Sequence, residues 1–241
     1  MKIELSDITI DFFEHDVSDK NQIGVMCSSG TDSTITLYLT ALRFPDRMIQ
    51  PYHIEESQYP NQKPSLLKII DSLNQRLPNE NLLPLMSDYV DYSTIDCEWR
   101  EKAKEDPGDL PARKNGNEGQ AKILATRHFK KHRYEVGHFD YLVSGATSNP
   151  PIEVLEKMGC PYESRRSNRL APRMFDNYYE PFYHINKKHI AELWEKYEIM
   201  DLFNDTITCI EHRSNIDKPC KVCYFCNEKK WAFGAFDGGI I

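Results

Sequence analysis

The apolar positions fall into short continuous runs separated by longer amphipathic stretches. Residues 23–27 (IGVMC) form a brief apolar run that ends in a small-residue turn, the pattern of a buried parallel strand. Residues 33–43 follow with helical habit, their apolar contacts supplied by Ile35, Leu37, Leu39 and Leu42. A second strand is expected over 48–54, although Pro51 weakens a ladder. Residues 64–77 fit a helix with Pro64 in its first turn and Leu66, Leu67, Ile70, Leu73 and Leu77 on one face. A third strand over 81–88, a helix over 117–132, a strand opening into a loop over 139–151 and an amphipathic helix over 187–199 complete the series. A last helix begins near Asn227. Strands alternating with helices predict an α/β fold, a Rossmann-like parallel sheet with helices on both faces. Residues 89–116 and 148–181 are long and polar, and loops of that length belong outside the carboxyl ends of the strands, where ligands sit.

Composition narrows the class without changing this picture. The chain has 241 residues, 40% hydrophobic and 28% charged, enough for one large domain with a small appendage. We expect the division at 1–205 and 206–241. A formal charge of -7 argues against a general nucleic-acid coat, whose affinity comes from neutralising phosphates. No apolar run reaches about 18 residues, and the acidic start MKIELSDITIDFFEHD lacks a leader's apolar segment. A cytoplasmic protein is expected.

The turn Ser28-Ser29-Gly30-Thr31-Asp32-Ser33 sits where strand gives way to helix. There the free N–H groups of the first helical turn and the helix dipole favour an anion. Gly30 permits close approach or positive φ, while Ser28, Ser29, Thr31 and Ser33 offer hydroxyl donors to phosphate. Asp32 fits such a site if Mg2+ accompanies the phosphates. The same residues also suit an ordinary helix cap. A Walker A loop is excluded, since no Gly-Lys-Ser/Thr follows at the required spacing.

Seven cysteines are present, four of them at C-x10-C-x2-C-x2-C spacing: Cys209, Cys220, Cys223 and Cys226. Thiolates two residues apart turn around one ion, and a fourth from a preceding loop completes a tetrahedron. Such a closed four-sulfur site reads as structural Zn2+, with an iron–sulfur cluster as the alternative.

SSGTDS after an apolar strand resembles the SGGxDS turn of the PP-loop ATP pyrophosphatases. Joined to the C-terminal cysteines, the chain is similar to the 7-cyano-7-deazaguanine synthase branch of that superfamily. The stretches ARKNGNEGQAKILATRHF, YLVSGATSN and EPFYHINKKHIAELWEKYEIMDLFNDTITC also match. The resemblance implies an adenine nucleotide alpha hydrolase-like fold and a small C-terminal zinc-binding helical module. It implies ATP bound by Val25, Met26, Cys27, Ser28, Ser29, Gly30, Thr31, Asp32, Ser33, Thr34 and Ile35, with Arg113 and Gly145 nearby. Asp32, Ser33 and either Lys187 or Lys188 would serve catalysis. The implied reaction is ATP-dependent conversion of a deazapurine carboxylate to a nitrile with ammonia, and a homodimer is plausible by the same resemblance. Three stretches depart from the pattern. Ser29 replaces the second glycine; HIEESQYPNQK replaces an Asp-Tyr-Gly-Gln; TSNPPIEVLEKMGCPYESRRSNR replaces the acidic–aromatic pocket segment.

Other features keep alternatives open. Cys160 beside Arg165 and Arg166 suits a persulfide carrier, as in a tRNA-thiolating enzyme, or an ordinary loop cysteine. Cys27 reads as core. The basic runs 127–133 and 165–173 suit a helix end and a ligand-facing loop, respectively. A nucleotide-binding subunit that has lost its chemistry is the remaining reading.

Overall fold

The structure, a computed structural model, describes residues 1–56, 59–90, 133, 135–159, 169–175, 177–209 and 218–241. Among these residues eight strands form, in chain order β1 (Lys2–Glu4), β2 (Thr9–Asp11), β3 (Ile23–Met26), β4 (Ile49–Glu56), β5 (Met86–Val90), β6 (Tyr141–Val143), β7 (Arg173–Phe175) and β8 (Tyr178–Glu180). The helices are α1 (Thr31–Arg43), α2 (Gln62–Asn74), α3 (Ile152–Met158), α4 (Lys187–Lys196) and α5 (Tyr224–Phe233). The expected helix over 117–132, Arg113, Cys97 and Cys160 lie outside the described residues.

β1 and β2 make a small antiparallel pair; the main sheet has the order β5-β4-β3-β6-β8-β7. Its first five strands are parallel, and β7 closes the edge antiparallel to β8. The chain enters at β3, winds one way through β4 and β5, then returns to the other side of β3 at β6. The crevice between β3 and β6 is therefore the topological switch point, where open α/β sheets bind ligands beyond the carboxyl ends of their strands.

Alternation along the strands separates two cores. Ile23, Val25, Ile49, Tyr141 and Val143 face α1, α2 and α4 through Ile35, Leu39, Leu66, Ile69, Leu73 and Trp194. Tyr52, Ile54, Leu142 and Phe139 form a smaller cluster on the other face. Pro51 is accommodated inside the sheet because the β4–β5 ladder is interrupted beside it, between the Ile49–Leu82 bridge and the Tyr52–Met86 pair. In α2 the buried face carries Ile69 where the sequence pattern placed Leu67, which is 43% exposed. Residues 148–181 are not one long loop: α3 and the β7–β8 hairpin occupy them. Trp194, Phe203 and Phe233 meet edge-on or tilted at 5.0–6.4 Å, which seats α5 against α4 and the turn after it. No described helix is long and apolar enough to cross a membrane.

Candidate functional site

β3 delivers the chain to Cys27, whose N–H donates to Tyr52 O at 2.8 Å. Cys27 belongs to the buried core, and that burial pushes its thiol up to about 12. The following turn is held by its own hydroxyls. Ser33 Oγ accepts from Ser28 N at 3.1 Å and donates to Gly30 O at 3.0 Å, and Thr34 Oγ1 donates to the same carbonyl at 2.9 Å. Gly30 occupies the N-cap of α1 with extended backbone, and no side chain caps the helix. The ordinary-cap alternative is thus not what the chain adopts. The start of α1 is left to a ligand or to water.

Individual residues differ from the sequence expectation. Positive φ falls on Ser29 (+55°), not on Gly30 (-84°). Ser29 carries a Cβ in the left-handed region, which favours glycine. Its hydroxyl donates inward to Ser28 O at 2.6 Å, and both Ser29 and Thr31 are fully buried. Ser29 and Ser33 therefore brace the loop and Thr31 is buried beside it, while Ser28 stays exposed. Val25, Thr34 and Ile35 are buried beneath it, and Met26 faces the smaller core.

The two candidate lysines separate cleanly. Lys187, first in α4 and nearly buried, donates Nζ to Asp32 Oδ2 at 2.6 Å and to Thr31 Oγ1 at 3.5 Å. Lys188 is exposed and lies 5.9 Å from the Trp231 ring. The first turn of α4 is fixed by a capping box in which Asn186 accepts from Lys188 N and His189 accepts from Asn186 N. This aims Lys187 across the crevice. Asp32 Oδ1 is buried without a hydrogen-bond partner, an acceptor that fits a cation such as Mg2+.

Gly145, just past β6, forms the opposite lip. A Cβ there would stand 2.6 Å from Thr36 Oγ1 and 2.7 Å from Asp32 O, so only glycine lets the strand end approach α1 this closely. Two residues on, Thr147 O accepts from Arg169 Nη1 at 2.5 Å, and the Arg169 and Arg173 guanidinium groups lie 3.9 and 4.6 Å from the Tyr183 ring centroid. Of the basic run 165–173, Arg165 and Arg166 lie outside the described residues; Arg169 is bonded beside the Gly145 lip, and Arg173 shares the Tyr183 ring with it.

His53 was not singled out by sequence. Its Nδ1 lies 2.8 Å from Cys27 O, and since a carbonyl only accepts, Nδ1 carries the proton. Its Nε2 is buried and unpartnered, and burial lowers its pKa. Only its position on β4, level with the end of β3, gives it away.

The four cysteines converge, their sulfur atoms all within 4.8 Å of one another. Cys223 caps α5 by accepting from Cys226 N; Cys209 Sγ accepts from Cys220 N at 3.3 Å and Cys220 Sγ from Cys223 N at 3.2 Å. Thiolates held by backbone N–H groups are what a metal site needs. Zinc–sulfur bonds of about 2.3 Å in a tetrahedron set sulfurs about 3.8 Å apart. Cys220 and Cys226 sulfurs are separated by 3.8 Å. A four-iron cube places each thiolate on its own corner iron and needs a wider spread, so a single ion fits this nest better. Without a cation the crowding and burial push the Cys226 thiol far up; a bound metal reverses that.

No family model and no curated protein matches the chain. Among solved structures it is similar to the U34-tRNA thiolase NcsA from Methanococcus maripaludis with its 4Fe–4S cluster, at 13% identity over 88% of this chain and 67% of that one, TM-score 0.45. It is also similar to the NMN synthetase from Francisella tularensis, at 12% identity over 76% of this chain and 63% of that one, TM-score 0.41.

Proposed function

We propose that the chain is a Mg-ATP-dependent enzyme of the PP-loop kind that activates a carboxylate by adenylation. The acceptor class is that of the 7-cyano-7-deazaguanine synthases, a deazapurine acid that ammonia converts to an amide and then a nitrile. The observation that carries this reading is the uncapped start of α1 at the β3/β6 switch point, with Lys187 and Asp32 paired at 2.6 Å in its mouth. Donors and a cation there suit a polyphosphate. A carboxylate is a poor electrophile; transfer of AMP to it gives a good leaving group and releases pyrophosphate. Ammonia then displaces AMP to give the amide, and a second adenylation, on the amide oxygen, lets that oxygen leave with AMP. In this scheme Ser28 and the N–H groups of 30–33 hold the departing pyrophosphate, and Lys187 offsets its charge. Mg2+ held by Asp32 Oδ1 would supply further charge neutralisation. Cys209, Cys220, Cys223 and Cys226 would hold a structural Zn2+.

Incubation of the protein with Mg-ATP, ammonium and 7-carboxy-7-deazaguanine, followed by mass spectrometry, tests this. Amide or nitrile is expected, lost in Asp32→Ala and Lys187→Ala. AMP and pyrophosphate without that product would move the acceptor to another molecule. No nucleotide turnover would leave a binding subunit in place of an enzyme.

A further inference from the structure

The peptide 206–209 touches both candidate sites. On one side Ile207 N donates to Ser29 O at 3.0 Å. On the other, the N–H groups of Thr208 and Cys209 donate to Asp237 Oδ2, each at 2.8 Å. Lys229 of α5 locks the back of this peptide, its Nζ donating to Asp237 Oδ1 and Thr206 Oγ1, both at 2.6 Å, and to Thr206 O at 3.3 Å. The same ammonium lies 4.2 Å from the Phe203 ring centroid. Lys229 is 0% exposed and Asp237 2%. A pair so completely desolvated is tolerated only when every donor and lone pair is used, and loss of either partner strands the other.

One side of this assembly is tied to cysteines in two places. Lys229 follows Cys226 by three residues on α5, whose cap is Cys223, and the peptide itself ends at Cys209. Ser29, at the far end, holds a φ of +55° that a residue with a Cβ resists. Its own hydroxyl braces Ser28 O from within the loop, and the bond from Ile207 is the contact from outside that reaches its carbonyl.

We propose that Lys229 and Asp237 are positioning residues for the loop 28–33. They transmit the geometry of the cysteine centre through 206–209 to the Ser29 carbonyl and hold Ser29 left-handed. The cysteine centre therefore sets the shape of the nucleotide loop as well as the fold of α5. The inference rests on the nucleotide reading for its binding readout and stands without it for its exchange readout.

The test uses the full chain loaded with zinc, amide hydrogen exchange by NMR, and Mg-ATP titration by calorimetry. Asp237→Asn, and separately removal of zinc by a chelator, should each lower protection of the Ile207 amide by about tenfold or more while the Val25 and Val143 amides keep theirs. Each should also weaken Mg-ATP binding by about fivefold or more. Adding Ser29→Gly should restore affinity to within about twofold, because glycine takes positive φ unaided, while Ile207 stays unprotected. Unchanged Ile207 protection overturns the proposal. So does weakened binding that Ser29→Gly fails to rescue, which is the mark of a merely structural pair. If wild-type protein binds no Mg-ATP, the nucleotide reading fails and Ile207 exchange alone decides. Should Asp237→Asn not fold, Thr206→Val removes only the hydroxyl that Lys229 grips and must reproduce the Ile207 effect.

Discussion

Lys187 and Asp32, 155 residues apart, meet at 2.6 Å across the crevice between β3 and β6. The lysine is nearly buried and the aspartate about one-fifth exposed (5% and 22%), so the pair is neither a surface ornament nor fully sealed. Lys187→Ala would leave Asp32 half-desolvated without its cation. A loss of about 2 kcal/mol in urea unfolding is expected, less than for a sealed pair because solvent screens Asp32. Nucleotide turnover should fall with it. Lys188→Ala, at an exposed position, should change stability by less than about 0.5 kcal/mol and turnover by less than about twofold.

Ser29 carries the only strained backbone of the described loop, at φ +55°. Ser29→Gly removes a left-handed penalty of about 1–2 kcal/mol and adds about 0.5–1 kcal/mol of unfolded-chain entropy. A net gain of roughly 0.5 kcal/mol is expected, read as a higher urea midpoint. Ser29→Val should lose more than about 1 kcal/mol, since a branched Cβ fits that region worst.

Gly145→Ala places a methyl 2.6 Å from Thr36 Oγ1 and 2.7 Å from a backbone carbonyl of α1. The hydroxyl cannot simply rotate away, because Thr36 Oγ1 donates to that same Asp32 carbonyl at 2.7 Å. We expect a loss of about 2–3 kcal/mol by thermal unfolding, with Mg-ATP affinity reduced because the first turn of α1 must shift.

These three positions show how far the sequence was legible. The turn 28–33 could be found from local pattern, because an apolar strand, a small-residue turn and an amphipathic helix are contiguous. The cysteine nest was equally plain, since its spacing is its geometry. Choice between Lys187 and Lys188 was not, because it depends on how α4 is phased by the Asn186–His189 cap and which face Trp194 buries. The β7–β8 hairpin escaped notice because its strands are three residues long and Met174 and Phe175 are exposed, leaving no alternation to read. His53 escaped because its role lies in a contact with Cys27 across two strands.

Burial holds His15, His53 and His184 below the ordinary histidine value of 6.5, with the neighbouring His189 lowering His184 further. The unfolded chain gains these protons as pH falls through 6.5, whereas the folded chain resists them. Stability from these groups is therefore complete above about pH 7 and is lost as pH drops below 6.5, at up to about 1.4 kcal/mol per unit for each histidine. Urea midpoints should fall between pH 7.5 and 5.5. His53→Gln keeps a donor for Cys27 O and cannot titrate, so its midpoint should fall less steeply. An unchanged slope would mean that Nε2 reaches solvent.

The sulfur nest predicts one ion per chain. Elemental analysis should find about one equivalent of zinc and no iron, with no visible absorption. Cys226→Ala removes one of the two buried ligands of the four, one whose thiol is strongly disfavoured as a thiolate unless metal is bound. Zinc content should drop well below one equivalent, and stability should fall by about 3 kcal/mol or more, since metal-binding energy is folding energy here. Cys27→Ala is the matched control: it deletes a buried sulfur outside the nest, so it should cost core packing while leaving zinc at one equivalent. Four irons with a brown chromophore would mean that the nest opens wider than the 4.8 Å within which its sulfurs lie.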